Sequence, residues 1–243
     1  MSILIISDIH ANLAALEAVI DAAGPVDAIW NLGDTIGYGP YPGQCLEAMS
    51  ALQPDVMLLG NHDAAAVGLL RLDEFNPIAR AATMWTTSQL NDEQRNQVAS
   101  LPLRATIDGC LCVHGSPRQP IWEYLYSAAV SRANFEVFDE AVCFLGHTHV
   151  QLWITEDMAE AGTDPRLASD GESIHLEQGR FIINPGSVGQ PRDGNPDAAF
   201  ALFDPDLGVV TFRRVAYDIA RTQTAMHEAG LPLPLITRLS AGV

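Results

Sequence analysis

Carboxylate, carboxamide and imidazole side chains recur in short groups over the first 150 residues of the chain. The groups are Asp8-Ile9-His10, Gly33-Asp34, Gly60-Asn61-His62-Asp63, His114 and Gly146-His147-Thr148-His149. Oxygen and nitrogen donors without a thiolate suit Mn, Fe, Zn, Co or Ni, and ligand type alone does not choose among these metals. Two divalent ions a few ångströms apart need such donors together with an oxygen that bridges them. The groups therefore predict a dinuclear metal centre.

Each group follows directly on a short apolar run. The runs are Ile3-Leu4-Ile5-Ile6, Ala28-Ile29-Trp30, Val56-Met57-Leu58-Leu59, Leu111-Cys112-Val113 and Val142-Cys143-Phe144-Leu145. Continuous apolar runs of this length are typical of strands that are buried on both faces. In open α/β sheets the ligand lies outside the carboxyl ends of the strands. We therefore expect five strand ends to bring the polar groups to one edge of one sheet, and we interpret that edge as the active site.

The connections between the runs predict an α/β fold. Helical spacing after the first run, ended by Gly24-Pro25, gives a strand–helix–strand unit, which is the unit of a parallel sheet. Residues 64–101 lack strand signals and are predicted to form two or three helices beside the site, either as a lid or as an ordinary packed layer. Residues 156–172 are polar and acidic and predict an exposed insertion. We expect a single domain over residues 1–243.

The second half of the chain is predicted to add further strands and a closing helix. A hairpin turns at Asp108-Gly109, and a helix is expected over residues 131–138. Apolar and polar residues alternate over residues 209–215, which indicates a half-exposed strand of an antiparallel sheet. The closing helix is expected over residues 218–228.

The composition narrows the possible classes of function. The chain has 243 residues, of which 48% are hydrophobic, and a formal net charge of −17. A surface this acidic repels the phosphate backbone of long nucleic acids. No run reaches about 18 consecutive apolar residues, the length of a membrane helix, and the amino terminus lacks the basic segment of a signal peptide. The four cysteines fit reduced, mostly buried thiols, so we expect a cytoplasmic protein with no membrane partner, either alone or as an oligomer.

The motifs, which stand in this order over roughly residues 3 to 150, resemble the signature of the calcineurin-like metallophosphoesterase superfamily. The resemblance implies a four-layer αββα sandwich of two mixed β-sheets, with the metal site at the carboxyl ends of the strands. It implies that one metal ion is bound by Asp8, His10 and His149. It implies that the second is bound by Asn61, His114 and His147, and that Asp34 bridges the two.

The resemblance also implies that a hydroxide bridging the two divalent ions hydrolyses a phosphoester, with manganese as the favoured metal. Water bound to such ions ionises near neutral pH and becomes a strong nucleophile. His62 is the candidate general acid for the leaving oxygen. Asp63 is expected to orient His62, and the alternative is that Asp63 caps the helix that follows it.

Three residues outside the metal motifs are candidates for binding the substrate. Arg192 follows another apolar run and carries a guanidinium fork that matches phosphate geometry. The alternative is a solvated arginine on a rigid turn. Tyr38 lies in a Gly/Pro loop and would stack on a base or sugar, or pack internally. Asn12 would contact the substrate or begin the first helix.

Three stretches extend the resemblance to compact, stand-alone prokaryotic phosphodiesterases and dinucleoside-polyphosphate hydrolases. They are residues 7–12, 37–40 and 184–192. The Gly33-Asp34 block lacks the Asp-Arg-Gly continuation of the Ser/Thr protein phosphatases, which disfavours a phosphoprotein substrate. We therefore expect a phosphodiesterase for a small anionic substrate that resembles a nucleotide, either a cyclic nucleotide or a dinucleoside polyphosphate. The alternatives are a phosphomonoesterase, a nuclease, and a non-catalytic interaction module on the same fold.

Overall fold

Two six-stranded β-sheets form the centre of the protein, and the computed structural model describes residues 1–177 and 179–243. In spatial order, the strands of the first sheet are β3 (Val56–Met57), β2 (Ala28–Asn31), β1 (Ile3–Ile6), β11 (Ala198–Asp204), β12 (Val209–Val215) and β9 (Ser173–His175). The strands of the second sheet are β4 (Arg104–Ile107), β5 (Cys110–Val113), β6 (Val142–Phe144), β10 (Phe181–Pro185), β7 (Gln151–Thr155) and β8 (Arg166–Leu167).

Each sheet contains three neighbouring parallel strands. In the first sheet β2 pairs in parallel with β1 and β3, and in the second sheet β6 pairs in parallel with β5 and β10. The other described pairs are antiparallel. Parallel neighbours end at the same edge, so each sheet gathers three strand ends. The five strands that precede the polar groups are thus divided over two sheets, and the expectation that they share one sheet is wrong.

Nine α-helices connect these strands within the described residues. They are α1 (Leu13–Ala23), α2 (Pro42–Leu52), α3 (Asn61–Ala66), α4 (Pro77–Gln89), α5 (Asp92–Ala99), α6 (Ala128–Phe135), α7 (Glu156–Glu160), α8 (Ile219–Glu228) and α9 (Leu233–Leu239). Polar side chains begin several of them. The side chain of Asn76, for example, accepts hydrogen bonds from the N–H groups of Ile78 and Ala79. Such caps satisfy the free donors of the first turn and fix where a helix begins.

The two sheets pack face to face over the main hydrophobic core. Trp30 and Phe203 of the first sheet pack on Phe144 of the second, with ring centroids 5.9 and 5.4 Å from that of Phe144. All three side chains are buried. Aromatic pairs at these separations stabilise the fold beyond the area that they bury. This core holds the two sheets at a fixed separation.

Helices cover the outer face of each sheet. Leu16 of α1 and Met49 of α2 pack in one cluster with side chains of β1 and β11. On the second sheet, Phe135 of α6 and Ala159 of α7 pack with side chains of β7 and β10. The order helix, sheet, sheet, helix confirms the predicted α/β fold as a four-layer αββα sandwich with two mixed sheets.

Residues 64–101 are largely helical, as predicted. They contain the second half of α3, a short 3-10 helix at Leu72–Glu74, and both α4 and α5. This segment packs on the end of the chain, since Phe75 and Ala82 share a cluster with Leu235 and Ile236 of α9. Helix α9 was not predicted because seven residues starting between two prolines give too little periodicity.

Residues 156–172 are mostly exposed, as predicted, but they include regular structure. Helix α7 buries Ala159, which is 2% exposed, and β8 pairs with β7 at the edge of the second sheet. A five-residue helix and a two-residue strand are too short to show a period in the sequence. The segment is therefore an edge of the second sheet and not only a loop.

None of the helices in the described residues combines the length and the apolar character needed to cross a membrane. All four cysteines are buried free thiols. The burial of these thiols agrees with the prediction of reduced, mostly buried cysteines.

We expect Phe144→Ala to lower the free energy of unfolding by about 3–5 kcal/mol, the usual cost of a large cavity in a packed core. Urea unfolding followed by circular dichroism measures this change. Leu207→Ala is the control, because Leu207 is 70% exposed and its loss should change stability by less than about 0.5 kcal/mol. Equal effects of the two substitutions would contradict a close-packed interface between the sheets.

Candidate metal centre

The seven predicted metal ligands meet where the carboxyl edges of the two sheets face each other. The first sheet supplies Asp8 and His10 after β1, Asp34 after β2, and Asn61 after β3. The second sheet supplies His114 after β5, and His147 and His149 after β6. Each of the seven side chains belongs to a residue that is at most 3% exposed. The site therefore lies at the junction of the sheets, and its donor side chains are buried.

Asp8, His10 and His149 form the first of two buried clusters, in each of which the potential ligand atoms lie within 4.8 Å of one another. Nε2 of His149 is 3.2 Å from Oδ1 of Asp8 and 3.1 Å from Nε2 of His10. Oδ1 of Asp8 is 3.7 Å from Nε2 of His10. One carboxylate oxygen and two imidazole nitrogens thus face a common point.

Asp34, His114 and His147 form the second cluster. Nε2 of His114 is 3.3 Å from Oδ2 of Asp34 and 3.2 Å from Oδ1 of Asn61, so the carboxamide joins this cluster. Oδ2 of Asp34 is also 3.7 Å from Nε2 of His10 in the first cluster. Asp34 therefore lies between the two clusters, which is the position of a bridging carboxylate.

One oxygen of each central carboxylate is held by the main chain, and the other is free. Oδ2 of Asp8 accepts the N–H of His147 at 3.0 Å, and Oδ1 of Asp34 accepts the N–H of His62 at 2.8 Å. Oδ1 of Asp8 and Oδ2 of Asp34 are buried and have no hydrogen-bond partner within the described residues. A buried anionic oxygen without a partner is costly. A cation bound in each cluster would satisfy these oxygens, so the residues present fit a dinuclear site.

Three of the imidazoles are oriented by main-chain carbonyls. The bonds run from His114 Nδ1 to Leu32 at 3.0 Å, from His149 Nδ1 to Gln190 at 2.6 Å, and from His147 Nε2 to Trp122 at 3.2 Å. Because a carbonyl oxygen only accepts, the bonded nitrogen carries the hydrogen and the other nitrogen keeps its lone pair. Bonds of this kind fix the tautomer and the ring orientation of metal-binding histidines.

The carboxylates make the site favourable for positive charge. Burial alone would lower the pKa of His114, but the negative charges of Asp34 and Asp8 raise it to about 9. Burial alone would raise the pKa of Asp34, but the nearby imidazoles, chiefly those of His114 and His62, hold it well below its usual range. Both shifts have the sign expected of a cluster that stabilises cations.

Five of the seven predicted ligands have a left-handed backbone. The angle φ is 55° at Asp8, 49° at His10, 53° at Asp34, 64° at His147 and 61° at His149. Outside glycine, such conformations cost about 1–3 kcal/mol each unless the surrounding structure holds them. Here the N–H groups of Asp8 and His10 donate to the carbonyls of Gly33 at 3.0 Å and Asp34 at 2.9 Å. Hydrogen bonds between the loops therefore hold the strained backbone in place.

The ring of His62 lies beside the first cluster. Its centroid is 5.1 Å from that of His10, 4.2 Å from that of Tyr38 and 5.2 Å from that of Phe75. Its Nδ1 is buried and has no hydrogen-bond partner in the described part of the chain. Burial lowers the pKa of His62 to about 4, with Asp34 opposing the shift and Arg192 adding to it.

The carboxylate of Asp63 is occupied by main-chain donors. It accepts the N–H groups of Gly60 at 3.1 Å, Thr35 at 3.3 Å and Ile36 at 3.0 Å. No hydrogen bond joins it to the ring of His62 within the described residues. The helix begins earlier than predicted: Gly60 is the N-cap of α3, and Asp63 is its third residue, whose carboxylate accepts the Gly60 N–H and helps to close the first turn. This geometry does not support the expectation that Asp63 orients His62.

Asn12 is also occupied internally. Its Oδ1 accepts the N–H of Ala15 at 3.3 Å and the hydroxyl of Thr222 at 2.8 Å, and its Nδ2 donates to the carbonyl of Gly189 at 2.9 Å. The residue is 1% exposed. Asn12 therefore begins α1 and connects it to α8, and the geometry does not support the expected contact with substrate.

Tyr38 and Arg192 both lie next to the clusters. The ring of Tyr38 is 4.7 Å from that of His10 and is nearly buried, at 6% exposure. The guanidinium carbon of Arg192 lies over the Tyr38 ring at 5.9 Å. The N–H of Arg192 donates to the carbonyl of His149 at 3.1 Å. Tyr38 thus packs against the imidazoles, as its alternative predicted, and Arg192 places a partly exposed cation near them.

Tyr124 and Gln190 also lie at the site and were not predicted from the sequence. Tyr124 is 45% exposed, and its ring stacks on that of His147 at 4.0 Å and 21°. The aromatic stretch over residues 122–126 was the available signal. Gln190 holds His149 through its carbonyl, and a main-chain contact leaves no signal in residue type.

The fold and the donor set agree with a comparison against known families. The family model of the calcineurin-like phosphoesterase superfamily domain matches residues 1–207. The chain therefore belongs to this superfamily. It is a metal-dependent phosphoester hydrolase. The family implies a dinuclear site for divalent ions, and the two buried clusters fit that implication.

Individual relatives extend over the whole chain. An uncharacterised protein of Methanocaldococcus jannaschii, MJ0912, is 35% identical over an alignment of 248 residues including gaps. The alignment covers 99% of this chain and 98% of that protein. A metallophosphoesterase from Sphaerobacter thermophilus is 55% identical, with a TM-score of 0.94 over 100% of this chain and 99% of that one. The hypothetical protein PH1004 from Pyrococcus horikoshii is 20% identical, with a TM-score of 0.82 over 100% of this chain and 98% of that one, and shows the fold alone.

We expect Gly60→Ala to weaken metal binding by about 10–100-fold, the usual effect of disturbing the support of a ligand. A Cβ at Gly60 would lie 2.1 Å from Oδ1 and 2.4 Å from the main-chain nitrogen of Asp34, so the carboxylate must move. Metal titration of the purified protein measures the change. Gly43→Ala is the control, because its Cβ would meet only the flexible side chain of Gln94. Unchanged metal affinity in Gly60→Ala would mean that the position of Asp34 does not govern metal binding.

Proposed function

We propose that the protein is a phosphodiesterase for a small substrate that resembles a nucleotide, working with two divalent ions. The single observation that carries this proposal is the position of Asp34 between two buried donor clusters, each with one unsatisfied carboxylate oxygen. Two cations held in this way can act together on one phosphoryl group. The net charge of −17 supports a small substrate over a long nucleic acid.

Asp8, His10 and His149 would hold one ion, and a second set would hold the other. The second set is Asn61, His114 and His147, with Asp34 shared between the ions. Manganese is the metal that we favour, and the mixed oxygen and nitrogen donors also suit Fe, Zn, Co and Ni. Bound divalent ions supply an ionised water at neutral pH and offset the charge of the phosphoryl oxygens.

His62 is the residue that we propose to protonate the leaving oxygen. It lies beside the first cluster, and its ring forms no hydrogen bond within the described residues. A pKa of about 4 leaves its ring neutral at pH 7. The negative charge of a bound phosphoester favours the protonated ring. His62 would therefore take up its proton when the substrate binds and give it to the leaving group as the P–O bond breaks.

Tyr124 supports a substrate with a flat group. Its ring is partly exposed and stacks on His147, and the ring of Tyr126 stacks on it at 5.9 Å and 7°. Exposed aromatic rings bind nucleobases by stacking without strong preference for one base. The pair thus supports a nucleotide over a simple alkyl phosphate.

We expect Asp34→Asn to lose hydrolysis and most of its metal, because the amide cannot offer a second anionic oxygen to two cations. The loss of metal affinity should exceed the about 10–100-fold caused by removing an outer partner of a ligand. The assay is manganese-supplemented hydrolysis of an aryl phosphomonoester, an aryl phosphodiester, a cyclic nucleotide, a dinucleoside tetraphosphate and single-stranded DNA. Asp21→Asn, at an exposed aspartate, is the matched control.

Cleavage of a small diester or nucleotide by the natural chain and by Asp21→Asn, but not by Asp34→Asn, is the result that we expect. Preferred cleavage of the monoester or of DNA would replace the proposed substrate class with a phosphomonoesterase or a nuclease. No cleavage of any compound by metal-loaded protein would favour a binding module.

His62→Ala should keep both metal ions and lower kcat by about 10²–10⁴-fold for an alkyl leaving group, the usual contribution of a general acid. The loss should be smaller for a nitrophenyl leaving group, which needs no proton. His175→Ala is the control, because His175 is exposed on β9. A uniform loss across leaving groups would assign His62 a packing role instead of proton transfer.

A further inference from the structure

Two arginines beside the metal centre converge on one neutral oxygen. The Nη2 of Arg192 donates to Oε1 of Gln190 at 2.8 Å, and the Nη1 of Arg238 donates to the same atom at 3.3 Å. Within the described residues, neither guanidinium forms an ion pair with an aspartate or glutamate. Nε of Arg238 also donates to an oxygen of the carboxyl group of Val243, the last residue of the printed sequence.

Much of the donor capacity of this pair is unused. A guanidinium has five N–H donors in a fixed fork, and the Nε of Arg192 is buried with no partner in the described part of the chain. Hydrogen bonds from guanidinium groups to anionic oxygens are about twice as strong as those to neutral oxygens. The place where the two forks meet is therefore suited to a group that carries several anionic oxygens.

The pair is connected directly to the metal centre. The side chain of Gln190 joins the two arginines. Its main-chain carbonyl accepts the Nδ1 hydrogen of His149 at 2.6 Å. The guanidinium of Arg192 lies over Tyr38, whose ring contacts those of His10 and His62. Arg192 and Gln190 are therefore direct neighbours of residues at the metal centre.

A cavity lies on the Arg238 side of the pair, and the proposed metal ligands are not in its lining. It has a volume of about 910 Å³ and lies between α4 and α9, with Tyr38 and Arg238 in its lining. The rest of the lining is mostly apolar, including Ile78 and Leu235. An apolar group attached to an anionic one would thus find both kinds of contact in one place.

The proximity of the two positive charges has a cost that an anion would remove. Burial, together with the charge of Arg192, lowers the pKa of Arg238. Like charges held close together destabilise each other. The chain has 13 basic residues against 30 acidic ones, so two neighbouring arginines with no aspartate or glutamate partner among the described residues differ from its general charge.

We propose that Arg192, Arg238 and Gln190 form a subsite for a second phosphate group of the substrate, while the scissile phosphate lies at the metal centre. This inference rests on the proposed function and narrows it. The preferred substrates are then polyphosphate esters with an apolar or flat group, and cyclic nucleotides, which have a single phosphate, are disfavoured. Two guanidinium forks at one point match the several anionic oxygens of a phosphate group.

The kinetic test is Arg238→Gln with two substrates. For a dinucleoside tetraphosphate, kcat/KM should fall by about 10-fold or more, the value of one lost charge-assisted hydrogen bond. For bis(p-nitrophenyl) phosphate, kcat/KM should change by less than about 2-fold. Its single phosphate lies at the metal centre, so no second phosphate contacts Arg238. Arg221→Gln is the control for charge, since Arg221 lies on α8 and pairs with Glu17. Equal losses for both substrates would overturn the subsite.

A binding measurement separates the subsite from the proposed function. Calorimetry with the purified, metal-loaded protein compares inorganic tripolyphosphate with inorganic orthophosphate. The ratio of their affinities should fall by about 10-fold in Arg238→Gln and stay unchanged in Arg221→Gln. Arg238→Lys, which keeps the charge and loses the fork, should lie between them and serves if Arg238→Gln does not fold. An unchanged ratio in both Arg238 variants overturns the subsite. A reduced ratio in a protein that hydrolyses no phosphoester supports the subsite and refutes the proposed function.

Discussion

The arrangement of this protein depends on two buried carboxylates whose charges are only half satisfied by the chain. In Asp8 and in Asp34, the main chain binds one oxygen, and the other has no hydrogen-bond partner among the residues that the structure describes. The free oxygens face imidazoles whose remaining nitrogens are fixed by carbonyls, for example that of Leu32. Uncompensated buried charge is among the most destabilising features that a fold can contain. The imidazoles beside the free oxygens are placed so that bound cations can offset this negative charge.

Bringing these groups together requires backbone conformations that most residues avoid. The left-handed angles at five of the proposed ligands would destabilise an isolated loop. The loops are tied to one another by main-chain hydrogen bonds, such as those from Asp8 and His10 to the loop after β2. Behind them, the rings of Trp30, Phe144 and Phe203 form a core with little freedom to relax. The stability of the core thus compensates for strain at its edge.

The sequence predicted the chemistry of the site better than its surroundings. The proposed metal ligands could be predicted because each is a donor side chain that follows shortly after an apolar strand, and the structure brings all seven together. Asp63 and Asn12 were harder to interpret, because a side chain that caps a helix has the same residue type as one that binds substrate. Tyr124, Gln190 and α9 could not be found in the same way. Their positions follow from loop conformation and tertiary packing, which leave no period in the sequence.

The division of the ligands between two sheets gives the hydrophobic core a second role. Asp8, Asp34 and Asn61 follow strands of the first sheet, whereas the three histidines after β5 and β6 follow strands of the second. The side chains between the sheets therefore act as a spacer that sets how far apart the two halves of the centre stand. A change of core volume, made far from any ligand, would alter the distance between the halves and retune the reactivity of the centre without touching its chemistry.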